Sequence, residues 1–233
     1  MPGATTFLTT RASWTRPWSS PSTWTGRPPG SNSARGQAMV VCFLGDSTVQ
    51  GIGDVLGLSW VGRLAQASFA LDPALATTLT LCNLGVRGDS SLRVAARWQE
   101  EASRRQRPGE DMAFVFSFGA ADRPQKVALP EAVAASRDML GQAKALGRTL
   151  FVTPPPSSNP EWAEQNRVLG QALLAVCAEL GVPGFDLFTP LAGSKAYMAA
   201  LAAGDTIHPD AAGYAEIAGL LRAWPPLADL LGL

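Results

Sequence analysis

The stretch AMVVCFLGDS, residues 38–47, decides the fold class of this chain. It opens with a run of apolar residues, Ala38–Leu44, and ends in the small polar segment Gly45, Asp46 and Ser47. Hydrophobicity that is continuous rather than alternating is typical of a strand that is buried on both faces, as in a parallel sheet. The stretch therefore predicts a buried strand whose carboxyl end carries a serine.

The same pattern recurs along the chain and is separated each time by a longer stretch with helical periodicity. Gly147 and Gly181 lie where helices should end, and Pro130 and Pro160 lie where helices should begin. These strand and helix patterns predict an α/β fold, a three-layer α/β/α sandwich with a five-stranded parallel sheet. The further predicted strands are Leu79–Leu84, Ala113–Phe118, Thr149–Thr153 and Val182–Leu187, and the predicted helices are Trp60–Leu71, Ser91–Arg105, Leu129–Leu146, Glu161–Leu180 and Asp210–Ala223.

The first 37 residues differ from the rest in composition. They are rich in Thr, Ser, Pro and Gly, and they contain four arginines and no acidic residue. We expect residues 1–37 to be a disordered extension, or the product of a mis-assigned start codon ahead of Met39, and residues 38–233 to form one domain. We recognise no signal peptide and no membrane-spanning stretch, so the expected location is cytoplasmic.

Charge and residue counts exclude several classes of function. The 19 basic and 19 acidic residues cancel, and no basic stripe indicates a nucleic-acid partner. One histidine and three scattered cysteines do not suffice for a zinc site, and no cofactor is predicted. The cysteines, Cys42, Cys82 and Cys177, lie in apolar runs, and their odd number is typical of a reducing compartment. The expected partner is a small molecule, and the sequence does not predict an oligomeric state.

Two segments carry candidate catalytic residues. Ser47 follows the first strand, and in parallel sheets ligands bind beyond the carboxyl ends of the strands. The segment DTIHP, residues 205–209, contains the chain's one histidine, His208, three residues after Asp205. Asp205 could accept the Nδ1 hydrogen of the imidazole and leave Nε2 to accept a proton from a serine. Three alternatives stay open: Ser47 could cap a helix or turn, it could belong to a phosphate-binding loop as in flavodoxins, or Asp205 could form a turn with His208 as a helix-entry residue.

Three segments together resemble the SGNH or GDSL hydrolase family. They are FLGDS at residues 43–47, NLGVRGDS at residues 83–90 and DTIHP at residues 205–209, and the resemblance runs over most of residues 39–224. It implies a flavodoxin-like SGNH hydrolase fold with Ser47 as nucleophile, His208 as base and Asp205 orienting the histidine. It also implies an oxyanion hole formed by the backbone amides of Ser47 and Gly88.

One position departs from the family pattern. Where the family has Gly-x-Asn-Asp, this chain has Gly119-Ala120-Ala121-Asp122, so the side chain of residue 121 offers no donor to an oxyanion. Either two amides suffice, or another side chain such as Arg87 or Asn159 contributes, or the protein is a weak or inactive relative.

The sequence thus predicts serine-dependent hydrolysis of a small or short-chain acyl ester. The alternatives are a catalytically weak or inactive ligand-binding relative with the same fold, and a flavodoxin-like phosphate or flavin binder that uses Gly45 to Thr48. The Gly-x-Ser-x-Gly motif of the separate α/β-hydrolase lineage is absent around Ser47.

Overall fold

The fold is known from a computed structural model that describes residues 38–233; the expectations for residues 1–37 lie outside the described residues. Five parallel strands form one sheet in the order β2-β1-β3-β4-β5. The predicted fold class is confirmed. The strands are β1 (Met39–Gly45), β2 (Leu79–Gly85), β3 (Asp111–Ser117), β4 (Arg148–Val152) and β5 (Gly184–Phe185).

The five predicted helices are present, with ends shifted by a residue or two. They are α2 (Ser59–Leu71), α3 (Ser91–Ser103), α4 (Leu129–Leu146), α5 (Pro160–Leu180) and α8 (Ala211–Arg222). Four short helices were not predicted, and neither was a 3₁₀ helix at Pro73–Thr77. The four are α1 (Ser47–Gln50), α6 (Phe188–Gly193), α7 (Lys195–Ala203) and α9 (Pro225–Leu231).

The last strand is much shorter than predicted. The sequence predicts a strand over Val182–Leu187, but only Gly184 and Phe185 pair with β4. Pro183 precedes the pairing and has no backbone N–H to donate, and Asp186 accepts from Thr189 at the start of α6 instead of continuing the strand.

Helices cover both faces of the sheet and enclose two apolar clusters. Val41 and Phe43 of β1 point into one cluster, which includes Trp60 of α2 and Tyr214 of α8. Their neighbours along β1 point to the opposite face, into a cluster formed with α3, α4 and α5. This two-sided burial explains why the first strand reads as continuously apolar. Among the helices of residues 38–233, none combines the length and apolarity that crossing a bilayer requires.

Two glycines allow the carboxyl ends of neighbouring elements to approach closely. A Cβ atom at Gly45 would lie 1.8 Å from the carbonyl oxygen of Ser117, at the end of β3. A Cβ atom at Gly85 would lie 2.2 Å from the backbone nitrogen of Gln50, at the end of α1. A larger residue at Gly45 would therefore force β3 away from β1, and one at Gly85 would force α1 away from β2.

Candidate active site

Ser47 begins a one-turn helix directly after β1. Asp46 caps this helix, because its Oδ1 accepts from the Thr48 backbone N–H at 2.9 Å and from the Thr48 hydroxyl at 2.7 Å. Gly51 ends the helix in the left-handed region, with φ 95°, and its N–H donates to the Ser47 carbonyl. Since Asp46 is the cap, the Ser47 hydroxyl is free of the capping role that the sequence left open.

The Ser47 hydroxyl instead contacts His208. Ser47 Oγ lies 2.8 Å from His208 Nε2, and His208 Nδ1 lies 2.5 Å from Asp205 Oδ2. The second Asp205 oxygen accepts from the backbone N–H groups of Ile207, at 3.0 Å, and His208, at 2.8 Å. Asp205 therefore closes the turn and orients the ring at the same time. The structure brings the three predicted side chains together from segments 161 residues apart.

The Asp205 carboxylate orients the imidazole of His208. Burial raises the pKa of Asp205, but hydrogen bonds from the His208 ring and from the His208 and Ile207 amides outweigh it and lower the pKa to about 2. The carboxylate is therefore ionised at neutral pH and accepts the Nδ1 hydrogen. That leaves Nε2, on the Ser47 side, as the proton acceptor.

The loop between α1 and α2 fixes the histidine turn from the other side. Asp54 pairs with Arg63, whose guanidinium lowers the pKa of Asp54 to about 2. Arg63 also donates to the carbonyl of Ala211 at 3.0 Å, and the Tyr214 hydroxyl donates to the carbonyl of Ile52 at 2.8 Å. Both contacts join this loop to α8, the helix that follows His208. The sequence analysis did not identify Asp54 or Arg63 as residues that hold the site. The only signal in the sequence was an acidic residue, Asp54, in a glycine-rich loop.

Gly88 lies in a tight turn beside the end of β1. The Asp89 N–H donates to the carbonyl of Val86 at 3.1 Å, and Gly88 has φ 79°, which only glycine adopts readily. The Val86 N–H donates to the Gly45 carbonyl at 3.0 Å. The turn that carries the second predicted oxyanion donor is thus attached to the strand that carries Ser47.

Arg97 of α3 strengthens this attachment and was not predicted from the sequence. Its guanidinium donates to the carbonyl of Gly45 at 2.8 Å, to the carbonyl of Leu84 at 3.0 Å and to Asp89 Oδ2 at 2.6 Å. One side chain thus joins the ends of β1 and β2 to the turn that contains Gly88.

The segment after β3 carries the departure from the family pattern. Ala121 is buried and presents only a methyl group. Of the two suggested substitutes, Asn159 caps α5, because its Oδ1 accepts from the N–H groups of Glu161 and Trp162. Arg87 is exposed on the turn before Gly88. The structure thus gives Asn159 a helix-capping role.

A cavity of about 310 Å³ lies beside this segment, between the start of α4 and the first half of α5. Asp122, Leu129 and Leu169 line it, with Glu161 at its edge. Its volume is at the lower end of the range for small-molecule sites. Within residues 38–233, no cluster of three or more histidine, cysteine or acidic side chains could hold a metal ion.

A serine, a histidine and a carboxylate joined in this order, at the carboxyl edge of a parallel sheet, are the arrangement of a serine hydrolase. Residues 43–216 match the sequence model of the GDSL-like lipase/acylhydrolase family, and the chain belongs to this family. It is a carboxylic ester hydrolase.

Solved structures share the fold at low sequence identity. The acetylxylan esterase Axe2 from Geobacillus stearothermophilus aligns with a TM-score of 0.67 and 20% identity, over 85% of this chain and 96% of that one. A lipase/acylhydrolase from Enterococcus faecalis aligns with a TM-score of 0.64 and 18% identity, over 83% and 96%. An α/β-hydrolase enzyme from the metagenome of Lake Arreo in Spain aligns with a TM-score of 0.64 and 23% identity, over 80% and 95%. A comparison with curated protein sequences gives no match.

Proposed function

We propose that this protein hydrolyses esters of small or short-chain acyl groups through an acyl-enzyme on Ser47. His208 is the general base and Asp205 orients it. The observation that carries the proposal is the unbroken chain of short contacts, 2.8 Å from Ser47 Oγ to His208 Nε2 and 2.5 Å from His208 Nδ1 to Asp205 Oδ2. Both distances are those that proton transfer requires.

The reaction then proceeds in two halves. Ser47 Oγ attacks the ester carbonyl while His208 Nε2 takes its proton, and the negative charge on the carbonyl oxygen is stabilised by the amides of Ser47 and Gly88. His208 returns the proton to the leaving alcohol, which gives the acyl-enzyme. Water attacks the acyl-enzyme in the second half with His208 again as base, and the acid and free Ser47 are released.

One structural comparison supports a small acyl group. The neighbouring structure Axe2 is described as an acetylxylan esterase, and two of its structures are of catalytic mutants, one with a serine and one with a histidine replaced by alanine.

The second candidate is a weak or inactive relative that binds a ligand with the same fold. The observation in its favour is Ala121, which removes one donor that the family pattern supplies. Losing one oxyanion donor costs about 10²- to 10³-fold in kcat in serine hydrolases, which weakens an enzyme without abolishing its nucleophile. Ser47 Oγ and His208 Nε2 lie within hydrogen-bonding distance, so a weak relative should still have a reactive serine.

The test combines covalent labelling and turnover. A fluorophosphonate should label the protein at Ser47, and the protein should hydrolyse p-nitrophenyl acetate. Ser47→Ala should abolish labelling and lower kcat about 10³-fold or more. His208→Ala should lower kcat by a similar factor. Ser103→Ala, at an exposed serine on α3, is the matched control and should change neither. Full turnover in both site variants would refute the proposal, and labelling of Ser47 without turnover would favour the ligand-binding candidate.

A further inference from the structure

The segment after β3 contacts the Gly88 turn through a side chain that the sequence did not single out. The side-chain amide of Gln125 donates a hydrogen bond to the carbonyl oxygen of Gly88, 37 residues away. Gln125 belongs to the loop between β3 and α4, the same loop that contains Ala121. The loop after β3 thus contacts the turn that contains Gly88, the predicted oxyanion donor.

A second contact from this loop holds the residues that follow the turn. Asp122 accepts from the backbone N–H of Ser91 at 2.6 Å and from the Ser91 hydroxyl at 2.8 Å. Ser91 is the first residue of α3, and the preceding Ser90 makes no capping hydrogen bond with its own side chain. Asp122 therefore caps α3 from a different segment, and both of its oxygens are used in doing so.

Val86, Asp89 and Arg97 hold the residues on either side of Gly88, and Gln125 bonds to Gly88 itself. No heavy atom lies within 4 Å of the position that a Cβ would take at Gly88, so no steric contact limits its rotation there. Glycine is also the residue with the widest choice of backbone angles. The hydrogen bond from Gln125 to the Gly88 carbonyl restrains the Gly88–Asp89 peptide, which adjoins the Arg87–Gly88 peptide that carries the Gly88 N–H.

We propose that Gln125 and Asp122 are positioning residues for the oxyanion hole: they fix the Gly88 turn so that the Gly88 N–H points to the ester carbonyl held at Ser47. The loop after β3 then contributes to catalysis although residue 121 has no donor side chain. This inference rests on the proposed function, because it takes Gly88 as an oxyanion donor.

A misaimed donor weakens the transition state more than the bound substrate. The charge that the donor meets develops only as the carbonyl is attacked, so the loss should appear in kcat and leave KM nearly unchanged. Removing an oxyanion donor altogether costs about 10²- to 10³-fold, and a donor that stays present but is less well held should cost less, about tenfold.

The decisive variant is Gln125→Met, which keeps the side-chain length and removes the donor. Gln66→Met, at an exposed position on α2, is the matched control. We expect Gln125→Met to lower kcat for p-nitrophenyl acetate about tenfold, with KM within about twofold of the control and an unchanged Tm. Binding of a boronic acid, which forms a tetrahedral adduct with a serine, should weaken by the same factor as kcat/KM falls.

Asp122→Asn is the second variant and should act in the same direction. The asparagine side chain keeps one oxygen that can accept from Ser91. Its NH₂ group replaces the other oxygen, so one of the two Ser91 donors loses its acceptor. Asp122 is buried, so Asp122→Asn is assayed only after its unfolding transition has been compared with that of the unaltered protein.

The outcomes separate this inference from the proposed function. If Ser47→Ala retains turnover, the proposed function fails. If Ser47→Ala is inactive but Gln125→Met matches Gln66→Met in kcat and boronic-acid affinity, the proposed function stands and the positioning role is overturned. A rise in KM at constant kcat would also overturn it, because that result would mean that Gln125 contacts the bound substrate.

Discussion

Replacing Arg97 with methionine should destabilise the fold by leaving a buried carboxylate without its partner. The Arg97 side chain is 18% exposed and the Asp89 side chain 7%, and their shortest contact is 2.6 Å. Removing one partner of a buried ion pair costs about 3–5 kcal/mol, because the other charge stays in a poorly solvated site. The lost bonds to the carbonyls of Gly45 and Leu84 act in the same direction.

Urea denaturation at neutral pH measures the free energy of unfolding directly. We expect Arg97→Met to lower it by about 3–5 kcal/mol. Arg104→Met, on the same helix, is the control, because Arg104 and its partner Glu100 are more than half exposed and such pairs contribute little.

A double variant tests whether the unpaired charge is the cause. Asp89→Asn in the Arg97→Met background removes the charge, so it should restore about 1 kcal/mol or more, whereas Asp89→Asn alone should be destabilising. If Arg97→Met lowers the free energy of unfolding no more than Arg104→Met does, or if the double variant recovers nothing, the role assigned to Arg97 is wrong.

Three further outcomes are expected. Ala121→Asn should raise kcat about tenfold with little change in KM, since an added donor meets charge that exists only in the transition state; an unchanged kcat would show that the backbone amides suffice. The rate of Ser47 labelling by a fluorophosphonate should fall at acid pH, because a general base that has taken up a proton cannot accept one from Ser47. Asp205, with its pKa lowered to about 2, should stay ionised; a flat profile would exclude a general base. Removing residues 1–37 should leave Tm and kcat unchanged, because the sequence of this segment offers no periodic apolar face to bury; a lower Tm would show that the removed segment packs on the domain.

The sheet and the triad could be predicted because their signals are local. A strand buried on both faces is apolar at every position, and the residues that follow parallel strands must meet at one edge of the sheet. Ser47 could therefore be placed at this edge from the sequence. The Asp205–His208 turn follows α7 rather than a strand, and its place beside Ser47 was implied by the resemblance to the SGNH family. Helix α7 was not predicted because Lys195–Ala203 is rich in alanine. It has no clear polar face, so its sequence shows no helical periodicity of apolar and polar residues.

The residues that hold the oxyanion turn could not be predicted in the same way. Arg97 and the Gly45 carbonyl are 52 residues apart, and Gln125 and Gly88 are 37 apart. Each contact joins a side chain to a backbone carbonyl, a group that every residue carries. The sequence therefore does not mark which backbone carbonyl will accept the hydrogen bond. Only the folded structure shows which carbonyl each side chain contacts.

Close packing of the strand ends makes the site geometry a property of the sheet. A Cβ atom at Gly45 would lie 1.8 Å from the Ser117 carbonyl oxygen, so even alanine there would push β3 away from β1. Ser47 is attached to β1, the Gly88 turn is bonded to the Gly45 carbonyl, and the loop after β3 holds that turn through Gln125. A displacement of β3 would thus move the proposed nucleophile and the proposed oxyanion donor relative to each other although neither residue is replaced. Activity should therefore be lost at Gly45→Ala before the fold is.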